Sequence, residues 1–462
     1  MTNLRLAIVG AGPAGIYAAD ILLKAERKFD VSIDLFDQLP APYGLVRYGV
    51  APDHPRIKGI INALRDVLDR GDIRIFGNVR FGEDITLDDL KRHYHAVIFS
   101  TGAIRDADLD IPGIDSEGSF GAADFVSWYD GHPDFPREWP LDAASVAVIG
   151  NGNVALDVAR ILVTDPDDLA KTDIADHALA ALRESNIREV VLLARRGIAQ
   201  AAYTNSEFLA LGEVDGVDVI IDPAELTLDP VSAAAQSDDE LDSTIATKLR
   251  LAREFAERPT TEGNKRIVFR FLTSPTELTG DGKAEALHAV RNVYTEAGEN
   301  VAIVPTDNGF DLETGLVLRA IGYRGVPIND VPFDEVRCVV PNVEGRVQSS
   351  VDGAIVRGLY VTGWIKRGAT GGIGRNRLCG QETAESVIAD FVAGVLPQSS
   401  TSADDVADLV ADHGAHRIDL AGWKNIDATE RSAGKSAGRR RVKLVHIGDL
   451  ESASREAAES RS

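Results

Sequence analysis

Leu6-Ala7-Ile8-Val9-Gly10-Ala11-Gly12-Pro13-Ala14-Gly15 is an apolar run that breaks into the pattern Gly-x-Gly-x-x-Gly, and the next run, Val31-Ser32-Ile33-Asp34-Leu35-Phe36, ends in Asp37. That order reads as strand, tight turn, helix, strand, acid. A second copy follows: Val146-Ala147-Val148-Ile149 leads into Gly150-Asn151-Gly152-Asn153-Val154-Ala155, and the run Val190-Val191-Leu192-Leu193 ends at Arg195-Arg196. In each copy the first glycine permits the turn, the second lets backbone approach a diphosphate, and the third position, Gly15 or Ala155, stays small for helix–strand packing. The diphosphate charge then faces a helix N-terminus. An acid after the second strand suits a free ribose diol, whereas arginines suit a 2′-phosphate. The first copy is therefore expected to hold FAD and the second NADP(H), which implies electron transfer between them. Asp37 lies 27 residues after Gly10 but Arg195 lies 45 after Gly150, so an insertion is expected near 164–186.

The fold class expected is α/β, with two Rossmann-like dinucleotide-binding domains. The apolar run Ala96-Val97-Ile98-Phe99 stops at Thr101-Gly102, as a chain leaving a domain would, and Leu316-Val317-Leu318-Arg319 stops before Gly322. The boundaries read as a first FAD-domain part at 1–103, an NADP domain at 104–323, a second FAD-domain part at 324–450 and a mobile tail at 451–462. The FAD domain is thus discontinuous. Residues 228–247 read as an exposed, mobile insertion, 397–405 as mobile, and 442–445 as a terminal strand. A helix after the glycine-rich turn 368–374 is expected to start near Gln381.

At 462 residues with 44% hydrophobic content the chain can bury more than one core. Its net charge of −23, spread along the sequence, argues against general nucleic-acid binding. No run approaches eighteen apolar residues, so no membrane span is expected and a cytoplasmic setting is the default. The only cysteines, Cys338 and Cys379, make neither a C-x-x-C pair nor a metal cluster, so electrons are expected to leave directly from the flavin. No resident metal is expected.

Four stretches together resemble the adrenodoxin-reductase-type ferredoxin–NADP reductases, actinobacterial members most of all: the opening Gly-x-Gly-Pro-Ala-Gly; Tyr43-Gly44-Leu45-Val46-Arg47-Tyr48-Gly49 through Pro55; Gly150 through Asp157; and Gly363-Trp364-Ile365-Lys366-Arg367-Gly368 through Gly371. The resemblance runs in order to about Val445. It implies noncovalent FAD, hydride from NADPH and single electrons passed to a small acidic ferredoxin. By matching positions it implies that Ala14, Asp37, Leu45, Val79, Trp364, Gly371, Gly372 and Ile373 line FAD. It likewise places Asn151, Gly152, Asn153, Val154, Arg195, Arg196, Glu207 and Gly371 against NADP. Two positions depart from the family pattern: Asp37 replaces the usual Glu, and Gly372 stands where a bulkier residue is usual.

Several residues carry two readings. His54, between prolines in Pro52-Asp53-His54-Pro55, either tunes or protonates the flavin edge or is a structural histidine of a proline turn. Asp157, in the apolar stretch Val154 to Ala159, either caps a buried network or contacts the nicotinamide region; in both cases it needs a partner. Glu207 aligns the adenosine ribose or caps a helix, and Trp364 is core or a lid on the flavin. Lys248, Arg250 and Arg253 can share a helical face and are the expected landing patch for the acidic ferredoxin, with Arg439, Arg440, Arg441 and Lys443 as a second candidate. Rival readings are an electron-feeding subunit of a larger complex and a nonenzymatic dinucleotide sensor. A monomer suffices for one-electron shuttling.

Overall fold

The computed structural model describes residues 3–237, 240–297, 300–399 and 405–455. The chain divides into two compact units: the first comprises 1–105, 130–133 and 323–462, the second 106–129 and 134–322.

The first unit is built on a seven-stranded sheet in the order Asn342–Val343, Arg346–Gln348, Ile355–Val361, Ala96–Phe99, Asn3–Val9, Asp30–Phe36, Ile73–Phe76. The last five of these run parallel, and the first two pair antiparallel at one edge. Parallel strands are covered on both faces and read as continuous apolar runs; Leu4, Leu6, Ala7 and Ile8 are accordingly all buried. The helix Pro13–Lys24 starts with proline, whose fixed φ suits that position, and Gly12 before it offers no side-chain cap. Its first N–H groups are left for another acceptor.

Two buried ionic groups tie the C-terminal stretch into this unit. Glu430 pairs with Arg47 through Nη2–Oε1 at 2.5 Å and Nη1–Oε2 at 2.9 Å, and with Arg441 at 2.8 Å. Asp130 accepts from Lys58 at 2.9 Å and Lys443 at 2.8 Å. Residues 442–445 are therefore not a strand: they are pinned to Glu430 by Val442 N–H and Leu444 N–H, and Lys443 is buried. The arginine-rich run before them is likewise no free patch, since Arg441 is held by Asp427 and Glu430.

The second unit carries a six-stranded, wholly parallel sheet in the order Ser119–Gly121, Leu316–Arg319, Ser145–Ile149, Glu189–Leu193, Lys265–Arg270, Val217–Ile221. A three-stranded antiparallel sheet of Thr273–Thr279, Ala286–Ala297 and Asn300–Glu313 completes it. The stretch 164–186 contains the helices Pro166–Leu169 and Asp176–Arg183.

Three local expectations are corrected. Residues 228–247 are not a loop: Pro230–Ser237 is a helix, because the Asp229 carboxylate accepts from Val231 and Ser232 N–H and holds Gln200 at 2.6 Å. The helix expected near Gln381 begins at Arg375, one turn and a half earlier, and runs to Val392. Of the expected tail, 451–455 belongs to the helix Ile447–Arg455, whose Leu450 and Ala453 are buried; 456–462, like 400–404, lie outside the described residues.

Candidate functional site

In the first unit the glycine turn sits at the carboxyl ends of the parallel strands, where α/β sheets bind ligands. Gly10 has φ +108, and a Cβ there would lie 2.6 Å from Ser100 O, so no side chain fits. Beyond the turn, Asp37 ties its own loop to it: Oδ2 accepts Ala11 N–H at 2.7 Å and Oδ1 accepts Leu39 N–H at 2.9 Å. Burial pushes its carboxyl up to about 6, against the pull of those two N–H groups. Val79, fully buried, donates its N–H to Asp37 O. Ala14 lies buried in the first turn of Pro13–Lys24, and Leu45 opens the single turn Leu45–Tyr48 after Gly44.

Nearby strand ends carry polar atoms that the protein leaves unsatisfied. Thr101 Oγ1, Thr362 Oγ1 and Trp364 Nε1 are buried without a hydrogen-bond partner among the described residues. The two threonines follow Phe99 and Val361, the last residues of adjacent strands. Buried polar groups are normally paired, so these donors and acceptors fit a polar ligand such as a dinucleotide. Trp364 stacks on Tyr323 with ring centroids 5.9 Å apart. Gly371 and Gly372 are exposed, Ile373 packs against the core, and a Cβ on Gly372 would meet nothing within 4 Å. His54 is half-buried and precedes the short helix Pro55–Lys58, with its backbone N–H on Ala51 O.

The second unit repeats the cradle. Gly150 has φ +142 and a Cβ there would lie 2.2 Å from Ala320 O. The helix Asn153–Val163 starts from Gly152, again with no side-chain cap. Asn151 Oδ1 is buried without a partner among the described residues, whereas Asn151 O accepts Ala202 N–H and Asn153 Oδ1 accepts Thr204 N–H. Val154 is half-buried in the first turn of that helix. Arg195 and Arg196 follow the strand Glu189–Leu193 on the surface, and neither guanidinium forms an ion pair among the described residues. Their backbone is fixed: Arg195 O accepts from Asn292 Nδ2 at 2.8 Å and Arg196 O from Leu272 N–H.

Asp157 finds its partner in Arg160, one helical turn on, at 2.8 Å, and the same buried guanidinium reaches Glu207 at 3.8 Å. Arg160 was missed in the sequence; the signal was its i,i+3 spacing from an acid in an otherwise apolar helix. Thr204 caps the helix Asn205–Leu211 that presents Glu207.

The expected landing patch is corrected. Lys248 is buried: its Nζ donates to Ala201 O at 2.6 Å and lies over the Tyr203 ring, and burial pulls its pKa down. It buttresses the 201–204 segment that rests on Asn151 and Asn153. Arg250 is exposed but paired with Glu254, and Arg253 is exposed. Three cations at helical spacing do not make one face here, because the Lys248 side of the helix is the buried one.

Two glycine-turn cradles, each at the ends of parallel strands, define a pyridine-nucleotide oxidoreductase. The family described as pyridine nucleotide-disulphide oxidoreductase matches residues 4–205. The chain is 45% identical over 461 residues to NADPH-ferredoxin reductase FprA of Mycobacterium tuberculosis H37Rv, covering 97% of this chain and 99% of that protein. It is 39% identical over 458 residues to the mitochondrial NADPH:adrenodoxin oxidoreductase of Arabidopsis thaliana, covering 97% and 94%. The solved structure of Mycobacterium tuberculosis FprA in complex with NADPH superposes with a TM-score of 0.90 at 44% identity, covering 98% of this chain and 99% of that one. The chain belongs to the NADPH–ferredoxin reductase family of the adrenodoxin-oxidoreductase type. Among the described residues no helix is long and apolar enough to cross a membrane.

Proposed function

We propose that the chain takes a hydride from NADPH onto FAD and releases the electrons singly to a ferredoxin. The observation that carries this reading is the pair of cradles with opposite ends, Asp37 in one and Arg195-Arg196 in the other. Both cysteines are free, and buried Cys379 serves as acceptor for Gly363 N–H, which accords with electrons leaving without a thiol relay. FAD, when bound, supplies the two-electron acceptance and one-electron release that join such a donor to such an acceptor.

The protein's part is binding, orientation and charge. In the first unit, assigned to FAD, Gly10, Gly12 and Gly15 admit the diphosphate and Asp37 takes ribose hydroxyls on the lone pairs its two backbone N–H bonds leave free. Leu45, Val79, Trp364, Gly371, Gly372 and Ile373 wall the remainder, and His54 exchanges a proton at its imidazole as electrons move. In the second, assigned to NADP(H), Asn151, Gly152, Asn153 and Val154 receive the diphosphate and Arg195 and Arg196 the 2′-phosphate. Arg160 holds Asp157 and Glu207 in fixed rotamers on the nucleotide side of that unit. The acceptor is a small acidic iron–sulfur carrier, a monomer suffices to serve it, and an NADPH donor accords with a cytoplasmic setting.

Anaerobic stopped-flow mixing with NADPH, and separately with NADH, tests this. Bleaching of a bound flavin near 450 nm, faster or at lower concentration with NADPH, is the expected result; a flavin that stays oxidised would favour a dinucleotide sensor.

Asp37 supplies a pH prediction. Its carboxyl, raised to about 6 without ligand, gains hydroxyl donors when FAD binds, and donors lower an acid's pKa. The bound state thus holds fewer protons, so FAD retention strengthens as pH rises through about 6 and levels off above it. FAD release on dilution, followed by flavin fluorescence, is expected to slow from pH 5 to pH 7 and to lose that dependence in Asp37→Asn.

A further inference from the structure

Arg367 closes the single turn Trp364–Arg367, and its guanidinium is held at one corner: Nη2 donates to Asn376 Oδ1 at 3.0 Å. The other two nitrogens, Nε and Nη1, are buried and have no acceptor among the described residues. A guanidinium is never neutral in a protein and carries five N–H donors in a fixed fork. Leaving a charged donor buried and unpaired costs more than leaving a neutral one, so native structures supply an acceptor. Four other cations of this unit do reach a buried carboxylate: Arg47 and Arg441 converge on Glu430, and Lys58 and Lys443 on Asp130. Among the described residues Arg367 has no carboxylate partner.

Its surroundings say what the acceptor is. The turn that carries Arg367 begins after Gly363, where a Cβ would come within 2.7 Å of Ala14 Cβ and 3.9 Å of Asn376 Oδ1. The Arg367–Asn376 pair therefore flanks the uncapped first turn of Pro13–Lys24, the end of the unit that already prefers negative charge. Trp364 Nε1 and Thr362 Oγ1, both buried and without a partner among the described residues, lie within five residues of Arg367.

We propose that Arg367 donates through Nε and Nη1 to negatively charged or electron-rich atoms of FAD, with Asn376 as the residue that positions it. This rests on the assignment of FAD to the first unit. Two parts of that ligand offer the same chemistry: the diphosphate, and the isoalloxazine ring, which gains negative charge on reduction. Charge on the diphosphate is the same in both redox states, so loss of Arg367 would weaken FAD retention without changing the midpoint potential. Charge on the ring grows with reduction, so loss there would lower the potential.

The test compares the wild-type holoenzyme with Arg367→Gln, Arg367→Lys and Asn376→Ala, measuring FAD release on dilution and the flavin midpoint potential by equilibrium dye titration. Arg367→Gln is expected either to release FAD at least tenfold faster at unchanged potential, which identifies the diphosphate, or to shift the potential downward by about 30 mV or more, the two-electron equivalent of a tenfold preference, which identifies the ring. Arg367→Lys is expected to recover part of whichever effect appears, and Asn376→Ala to give a smaller change of the same kind. Thermal unfolding of each variant separates loss of fold from loss of ligand contact. Unchanged release and potential in a folded Arg367→Gln holoenzyme would overturn the proposal, as would equal effects from Gln and Lys. A wild-type protein without flavin would instead overturn the FAD assignment on which it rests.

Discussion

Replacing Arg195 and Arg196 together with alanine is expected to lower kcat/KM for NADPH roughly hundredfold while changing that for NADH by no more than about threefold. Each charge-assisted hydrogen bond to a phosphate is worth about 1.5–3 kcal/mol. Both side chains are solvent-exposed, so screening reduces the sum. About 2.7 kcal/mol for the pair is a hundredfold. The loss should fall mainly on KM, because the 2′-phosphate lies away from the reacting carbon and is bound alike in ground and transition states. Among the described residues neither has a carboxylate to release, so their removal leaves no buried charge behind, and Asn292 and Leu272 still hold the backbone in place. Raising the salt concentration should shrink the difference between wild type and variant. Steady-state kinetics with both nucleotides decides the matter: equal losses with NADPH and NADH would refute the assignment of the 2′-phosphate to this strand end.

The second large effect concerns stability. Glu430→Gln is expected to destabilise the first unit by about 3–5 kcal/mol, because it strands the charge of Arg47 in a buried setting. Glu430 is fully buried and takes four hydrogen bonds: two from Arg47, one from Arg441 and one from Leu444 N–H. For a unit of this size each kcal/mol shifts the midpoint by about 2–4 °C, so the transition should fall by at least about 6 °C. The pH dependence has a definite sign. Burial alone would raise the carboxyl, but the charges of Arg47 and Arg441 hold it below the usual range. An acid with a depressed folded-state pKa contributes stability that is complete above its unfolded value, near 4.3, and that disappears as pH falls through the lower folded value. The gap between wild type and Glu430→Gln should therefore be widest near neutral pH and close below about pH 4. Calorimetry at several pH values would show it; a gap independent of pH would mean that Glu430 acts through packing alone.

Much of the architecture was legible because its signals are local. A glycine pattern between two apolar runs specifies strand, turn and helix within about thirty residues, and it puts Asp37 and Arg195 just past the ends of the next strands. What was misread depends on contacts far apart in sequence. Lys248 looks like a surface cation until Ala201 O and the Tyr203 ring are brought to it. Residues 442–445 carry strand-like composition, yet they obey Glu430 and Asp130, which lie 12 or more residues away. The 230–237 helix was hidden because alanine and serine give little periodicity, and the decisive Asp229 cap is a hydrogen-bond fact. Arg160 was visible as a spacing but not as a partner shared by Asp157 and Glu207.

The discontinuity of the first unit also fixes an order of events during synthesis. Every strand of the second unit's parallel sheet lies between Ser119 and Arg319, so that sheet can close once the chain has emerged from the ribosome to about residue 320. The glycine turn at Gly10 is made well before that point, yet its sheet lacks the strand Ile355–Val361, its buried Arg47 lacks Glu430, and Asp130 lacks Lys443, until the chain has passed residue 443. A segment made early is thus completed late, and until then the edge of its sheet waits unpaired. Slow elongation or premature release beyond residue 320 would leave one finished unit joined to one unfinished one, a state that chaperones and proteases can distinguish by the bare edge of the strand Ala96–Phe99.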